Sequence, residues 1–197
     1  GIHVNFSGAA PAEVSKALQS GGPPPADLSA EEKRAYEQMA FLYQHVPTQL
    51  MMVAHPQTLY GLADSPVALA AWMIDHDVAS YGHIAKLFLD GEPYGDLTRD
   101  DILDNITLCW LTNTGVSSAR LYKEYKGAFF NDYDITVPTA VSVFPEEVYQ
   151  APRSWSERAY KNLIHFNEVE KGGHFAAWEQ PRLFAEEVRT GLRSLRH

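Results

Sequence analysis

Two short stretches of the chain carry residue types able to move protons. In KGGHFAAWEQP, Lys171 to Pro181, a histidine follows two glycines, and in FPEE, Phe144 to Glu147, two adjacent carboxylates close an apolar run. An imidazole titrates near neutrality and can take a proton from water. A carboxylate beside it fixes the ring's tautomer and stabilises the imidazolium once it forms. Twin glycines free the backbone for a sharp turn and close approach. The competing reading makes His174 an exposed polar residue of an ordinary loop. The elements that carry the two stretches decide between these readings.

ITVPTAVSVF, residues 135–144, is rich in β-branched residues and reads as a strand, and LIHFNEVE, residues 163–170, reads as a second. SERAYKNL between them reads as a short helix, GGH as a tight turn, and PRLFAEEVRTGLRSLR as an amphipathic terminal helix. This β-loop-α-β-loop-α texture belongs to an open α/β sheet, in which reacting groups gather outside the carboxyl ends of strands. Glu146 and Glu147 follow the first strand and His174 follows the second, so neighbouring strand ends are expected to bring an acid and the imidazole within reach.

The preceding region reads as helical. Ser29 and Glu32 have the spacing of a capping box, Ser65-Pro66 opens a further helix, and Thr98-Arg-Asp-Asp caps another. In the segment from Pro66, Val67, Leu69, Ala70, Trp72, Met73 and Ile74 nearly encircle the helix, which predicts burial on most sides. Tyr81 to Leu89 and Ser117 to Phe129 read as two more helices. Residues 7–28 are rich in Gly, Pro, Ala and Ser, with Gly21 to Pro25 as a linker. IHVNF after Gly1 is strand-like, and the chain is expected to begin inside a larger fold. Three regions result: 1–28, a strand-like start with a linker; 29–130, a helical domain; and 131–197, a terminal α/β portion.

Composition sets bounds on function. The 197 residues are 45% apolar and 12% aromatic, enough for a packed core. A net charge of −9 without a Lys/Arg run argues against nucleic acid and anionic membranes as partners. The single cysteine, Cys109, excludes an intrachain disulfide and a multi-cysteine zinc site, and its apolar helical setting reads as a packed thiol. The start is no signal peptide, and the longest apolar-rich stretch, SPVALAAWMI, is too short to span a bilayer. A soluble, cytoplasmic and bacterial protein is expected.

Three separated motifs then appear in a familiar order: DSPVALAAW, VPTAVSVFPEEVYQAPRSWSERAY and GGHFAAWEQPRLFAEEVR. From about Asp64 to the end, and more loosely from Gly1, the chain resembles the C-terminal portion of epoxide hydrolases of the microsomal type. The resemblance implies an incomplete α/β-hydrolase core with a mainly α-helical lid, residues 1–28 being the end of the first core half and a linker, 29–130 the lid and 131–197 the C-terminal part of the core. It implies that an aspartate attacks an epoxide carbon to form an ester, that lid tyrosines protonate the epoxide oxygen, and that an acid-oriented histidine activates water to cleave the ester. Carried onto this chain, the histidine is His174 and the acid is Glu147, Glu146 falling on a variable position; one lid tyrosine is Tyr122, in SSARLYKE. No cofactor or metal is implied, and the substrate is an apolar epoxide.

Two departures accompany the resemblance. The other lid tyrosine is replaced by Thr48, eight residues before the proline of PQTL, with Tyr43 nearby as a substitute. The nucleophile and oxyanion-hole motif would precede Gly1, so the expected partner is the missing N-terminal half of the core, and the chain alone is expected not to turn over. A truncated sheet would expose an edge and an apolar face, which predicts association, including with a second copy.

Other readings compete. Ser117, in Gly115-Val-Ser-Ser-Ala119, would place a serine nucleophile in triad order with Glu147 and His174, but a nucleophile elbow needs a preceding strand, and the residues before it read as helix. Ser117 is expected instead to cap the following helix. His76 and His83 with Asp75 and Asp77 could cluster around a metal, but Gly82 interrupts and no H-E-x-x-H pattern occurs. A non-catalytic module would keep an apolar pocket lined by Trp72 and Trp110.

Overall fold

The computed structural model describes residues 1–45, 51–52, 56–125, 127 and 129–196. In chain order its elements are β1 (Ile2–Val4), α1 (Ala12–Ser20), α2 (Ala30–His45), a 3-10 turn (Pro56–Tyr60), α3 (Gly61–Asp64), α4 (Pro66–Ile74), α5 (Val78–Leu89), α6 (Arg99–Leu111), α7 (Ala119–Glu124), β2 (Thr139–Val143), α8 (Arg153–Ala159), β3 (Leu163–Glu168), α9 (Ala176–Glu179), α10 (Pro181–Gly191) and a closing 3-10 turn (Arg193–Leu195). They divide into two compact units, one formed by Gly1–His45 with Ala128–His197 and the other by Val46–Gly127.

In the first unit β1, β2 and β3 form a parallel sheet in that order, with Val4 opposite Val141 and Val143 opposite Glu168. The central strand β2 is buried along its whole length, which suits its run of Thr, Ala, Val, Ser and Val. Its residues alternate between faces. Val141 and Val143 pack with Val14 and Leu18 of α1, Ala35, Tyr36 and Met39 of α2, and Trp155 and Ala159 of α8. On the other face Phe144, Val169 and Ala176 form a small cluster with Leu183 and Phe184 of α10.

That second face also carries a polar seam. The hydroxyl of Ser142 donates to Glu187 Oε2 at 2.7 Å and lies 3.0 Å from His3 Nε2. Asn167 Nδ2 donates to Glu187 Oε1 at 2.9 Å, and His165 Nε2 lies 3.6 Å from Glu187 Oε2. One turn further along α10, a Cβ on Gly191 would stand 2.7 Å from the Ala140 methyl, so the missing side chain lets the helix lie close on β2.

Several expectations need correction. Helix α1 lies within the stretch read as Gly/Pro-rich connection. Val14 and Leu18, four apart, bury one face of it, and Gly21 ends it in the left-handed conformation at φ 64°, its N–H donating to Leu18 O at 3.1 Å. The prolines and glycines flank the helix rather than interrupt it. Helix α2 opens with the expected capping box, Glu32 N–H to Ser29 Oγ at 3.2 Å and Ser29 N–H to Glu32 Oε2 at 2.8 Å. It falls within residues 29–130, expected as the lid, while its Ala35, Tyr36 and Met39 pack into the first unit's core.

In the second unit Leu59, Leu62, Leu69 and Ala119 make the core, with Met51, Met52, Trp72, Met73, Cys109, Trp110 and Val116 packed around it. Helix α4 has Leu69 buried but Val67 75% exposed, so the near-encircling apolar pattern does not produce all-round burial there. Helix α7 is shorter than Ser117 to Phe129, because Tyr125 turns to extended backbone. Among the described residues no helix is long and apolar enough to cross a membrane.

The polar seam makes a pH-dependent contribution to stability. Burial pulls the pKa of His3 below its ordinary 6.5, with Glu187 opposing and His165 reinforcing the shift. A folded-state pKa below the unfolded one means that the folded chain takes up the proton less readily. The contribution is therefore intact above 6.5 and lost as pH falls through the lower folded value. Thermal melts across this window are expected to show a falling midpoint in the wild type and a shallower fall in His3→Gln.

Candidate active site

The sheet hydrogen bonding continues past the strand ends and brings two loops side by side. Val169 N–H donates to Val143 O at 2.8 Å and Glu146 N–H to Gly172 O at 3.1 Å, with Glu146 and Gly173 forming a parallel bridge. Gly172 sits at φ 112°, and a Cβ there would meet the Phe144 ring at 2.8 Å. Both facts demand glycine at this turn. The next amide, Gly173 N–H, donates to Glu179 Oε2 at 2.6 Å.

Glu147 and His174 meet at the exit of this bridge. His174 Nδ1–H donates to Glu147 Oε1 at 2.7 Å, and Val148 N–H donates to the same oxygen at 2.8 Å. The carboxylate side chain is 1% exposed and the imidazole 24%. With Nδ1–H held by the carboxylate, the neutral ring presents Nε2 as its basic atom. Glu147 Oε2 is buried and has no hydrogen-bond partner among the described residues. Glu146, half-buried, takes part in the bridge, while its neighbour meets the ring.

Aromatic side chains surround the imidazole. Phe6, just beyond β1, forms a T-shaped pair with His174 at 5.6 Å and 76°, and Phe175 does so at 5.0 Å and 84°. Phe6 also touches Phe129, Phe130 and Tyr149. The turn bearing Glu147 is braced from α2: Gln150 N–H donates to Gln38 Oε1 at 3.0 Å, Gln38 Nε2 donates to Gln150 Oε1, and Gln150 Nε2 donates to Glu147 O at 2.7 Å. Phe6, Gln38 and Gln150 were not anticipated from the sequence. None has a motif, and Gln38 joins Gln150 across 112 positions.

The remaining sequence-derived candidates are distributed over both units. Tyr43, on α2, is 43% exposed, with its ring 6.0 Å from Phe130. Burial raises its pKa against an opposing backbone contribution from Phe130. Thr48 lies outside the described residues. Tyr122 is on α7 in the second unit and 36% exposed. Trp72 and Trp110 are half-buried against the second unit's core, as is Cys109.

Ser117 is no nucleophile elbow. Helix α6 precedes it, and its hydroxyl donates to Thr114 O at 3.1 Å instead of capping α7. His76 Nδ1 pairs with Asp77 Oδ2 at 2.9 Å, while His83 stacks on Tyr94 at 3.5 Å. Asp77 also caps α5 through Ser80 N–H; burial would raise its pKa, but the bonds from His76 and Ser80 outweigh it and hold the group at about 2. Among the described residues no group of three or more His, Cys, Asp or Glu side chains could hold a metal.

No protein-family model matches the chain. It is 42% identical over its whole length to a "Putative epoxide hydrolase" of Stigmatella aurantiaca (strain DW4/3-1) and spans 42% of that protein. It is 36% identical over 134 residues to Epoxide hydrolase 1 of Sus scrofa, a match covering 66% of this chain and 30% of the pig protein. The structure of Aspergillus niger epoxide hydrolase superposes with a TM-score of 0.68 at 26% identity, covering 98% of this chain and 46% of that one. Juvenile hormone epoxide hydrolase from the silkworm Bombyx mori shares the fold at a TM-score of 0.72, with 99% of this chain and 49% of that one covered. The chain thus spans less than half the length of these relatives. It is a homologue of the epoxide hydrolases of the α/β-hydrolase superfamily, matched over part of their length.

Proposed function

We propose that the chain supplies the water-activating pair, the lid and the last strands of an epoxide hydrolase core. The contact that carries this reading is the 2.7 Å hydrogen bond from His174 to the buried Glu147. In the proposed reaction a carboxylate from the part of the relatives outside the matched region attacks an epoxide carbon. The carbon–oxygen bond breaks, and Tyr122 gives its phenolic proton to the departing alkoxide. His174 Nε2 then takes a proton from water as its oxygen attacks the ester carbonyl. The bond to the diol oxygen breaks, that oxygen takes the adduct's hydroxyl proton so that the carboxylate is restored, and the imidazolium's proton returns through solvent to the Tyr122 phenolate. Glu147 fixes the ring's tautomer and stabilises the imidazolium without itself taking the proton. No step calls for a cofactor.

The second unit, Val46–Gly127, is proposed as the body of the lid, with α2 joined to the core side. Within that unit Trp72, Trp110 and their apolar neighbours suit an apolar epoxide better than a charged one; Tyr43 of α2 belongs to the first unit. On this reading the 197 residues alone bind such a compound without turning it over.

The assignment is tested in a polypeptide that joins this chain to the nucleophile-bearing part. His174→Gln and Glu147→Gln are expected to leave ester formation intact and slow ester cleavage by about 10²–10⁴-fold. The intact mass after mixing with an apolar epoxide then shows the covalent adduct accumulating. Turnover by His174→Gln at the wild-type rate would remove the imidazole from the mechanism. Tyr122→Phe is expected to act on the other half-reaction, slowing single-turnover ester formation by about 10²-fold while leaving ester cleavage unchanged.

A further inference from the structure

We propose that Glu179 is a positioning residue for His174, acting through the backbone of Gly173; this deepens the reading of His174 and Glu147 as the water-activating pair and rests on it. Glu179 is 3% exposed, and its Oε2 accepts from Gly173 N–H at 2.6 Å, the shortest distance to a backbone amide in the site. The residue lies at the end of α9, whose turn closes through Glu179 N–H to Phe175 O at 2.9 Å and Gln180 N–H to Ala176 O at 2.9 Å. Its carboxylate therefore starts from a fixed backbone and reaches back six residues, past the histidine, to the Gly173 amide that precedes it.

That peptide needs a restraint. Gly172 and Gly173 have no side chains to hold them, and Gly172 occupies a conformation that few residues share. The sheet holds one side of the turn through Glu146 N–H to Gly172 O. The carboxylate of Glu179 holds the other side through the next amide. Gly173 is packed closely enough that a Cβ on it would lie 3.3 Å from both Glu179 Oε2 and Glu146 O. The peptide leading into His174 is thus clamped between a sheet bridge and a buried acceptor. A hydrogen bond to an ionised acceptor is about twice as strong as one between neutral groups. Its loss leaves the Gly173 peptide held from the sheet side alone and lets the imidazole drift from Glu147 Oε1.

The test uses the chain itself and nuclear magnetic resonance. In the wild type, the His174 Nδ1–H shared with Glu147 is expected as a protected, strongly downfield imidazole signal. Glu179→Gln keeps shape and an acceptor oxygen; it is expected to retain this signal while Gly173 amide exchange accelerates about tenfold. Glu179→Ala is expected to lose the imidazole signal in the folded protein. Should that variant not fold, Glu179→Asp replaces it, since its carboxylate is one methylene short of Gly173 N. An unchanged imidazole signal in folded Ala or Asp variants, or unchanged Gly173 exchange in Glu179→Gln, overturns the positioning role. A merely stabilising residue would lower the melting midpoint and leave the signal of the folded molecules in place. Absence of the signal from the wild type would instead overturn the underlying His174–Glu147 reading.

Discussion

A one-residue slip between β2 and β3 would move the loop carrying Glu147 by about 3.3 Å against the loop carrying His174, more than their hydrogen bond could absorb. The chemistry inferred here therefore depends on parallel register. That register is specified by burial: β2 is covered on both faces, so a slip would turn Val141 and Val143 toward α10 and Ser142 toward the apolar cluster. Beyond the strands, the bonds from Val169 to Val143 and from Glu146 to Gly172 carry the alignment to the two catalytic candidates. The site is an extension of the sheet, and its precision is that of a β-ladder.

The electrostatics follow from where that extension ends. Glu147 is almost wholly buried, while the ring it holds keeps partial exposure. A carboxylate taken from water must be compensated by donors. Oε1 has two of them, the His174 imidazole and the Val148 amide. Each strengthens the other's geometric hold on the acid: one fixes its rotamer and the other gives the ring its direction. Phe6 and Phe175, each nearly perpendicular to the imidazole, lower the local polarity around it. Such an imidazole gains a proton with an anion already in place to receive the charge.

How much of this was legible depended on how local the signal was. Strands, the glycine turn and the capping boxes at Ser29 and Thr98 are written in adjacent residues, and the structure has them there. The meeting of the FPEE and GGH stretches followed from strand order alone. The choice of Glu147 over Glu146 did not. Either residue follows β2, and family resemblance rather than spacing separated them. Helix α1 was hidden because Pro11 before it and Gly21 after it give a loop-like composition to a nine-residue helix. Helix α2 looked like its helical successors, since its attachment to Trp155 and Val141 is a matter of long-range packing. Phe6, Gln38 and Glu179 were illegible for the same reason. Their roles come from partners that folding brings to them, and an isolated Phe, Gln or Glu has no local mark of it. Residues assigned to the second unit, Tyr122, Trp72 and Trp110, came from resemblance and aromatic character, and the structure describes them within that unit.

The bare backbone at Gly191 bears on more than the fit of one helix. Glu187 stands one turn before it and reaches Ser142 and Asn167 because α10 rests against Ala140 without an intervening methyl. Any side chain at 191 would act as a wedge, lifting the terminal helix off β2 and drawing the carboxylate away from the hydroxyl and amide beneath. Since Phe184 of the same helix packs with Phe144, and Phe144 lies under Gly172, such a displacement would pass through two rings to the loop that holds the imidazole. The smallest residue on the back of the sheet thereby sets a tolerance for the chemistry at its front.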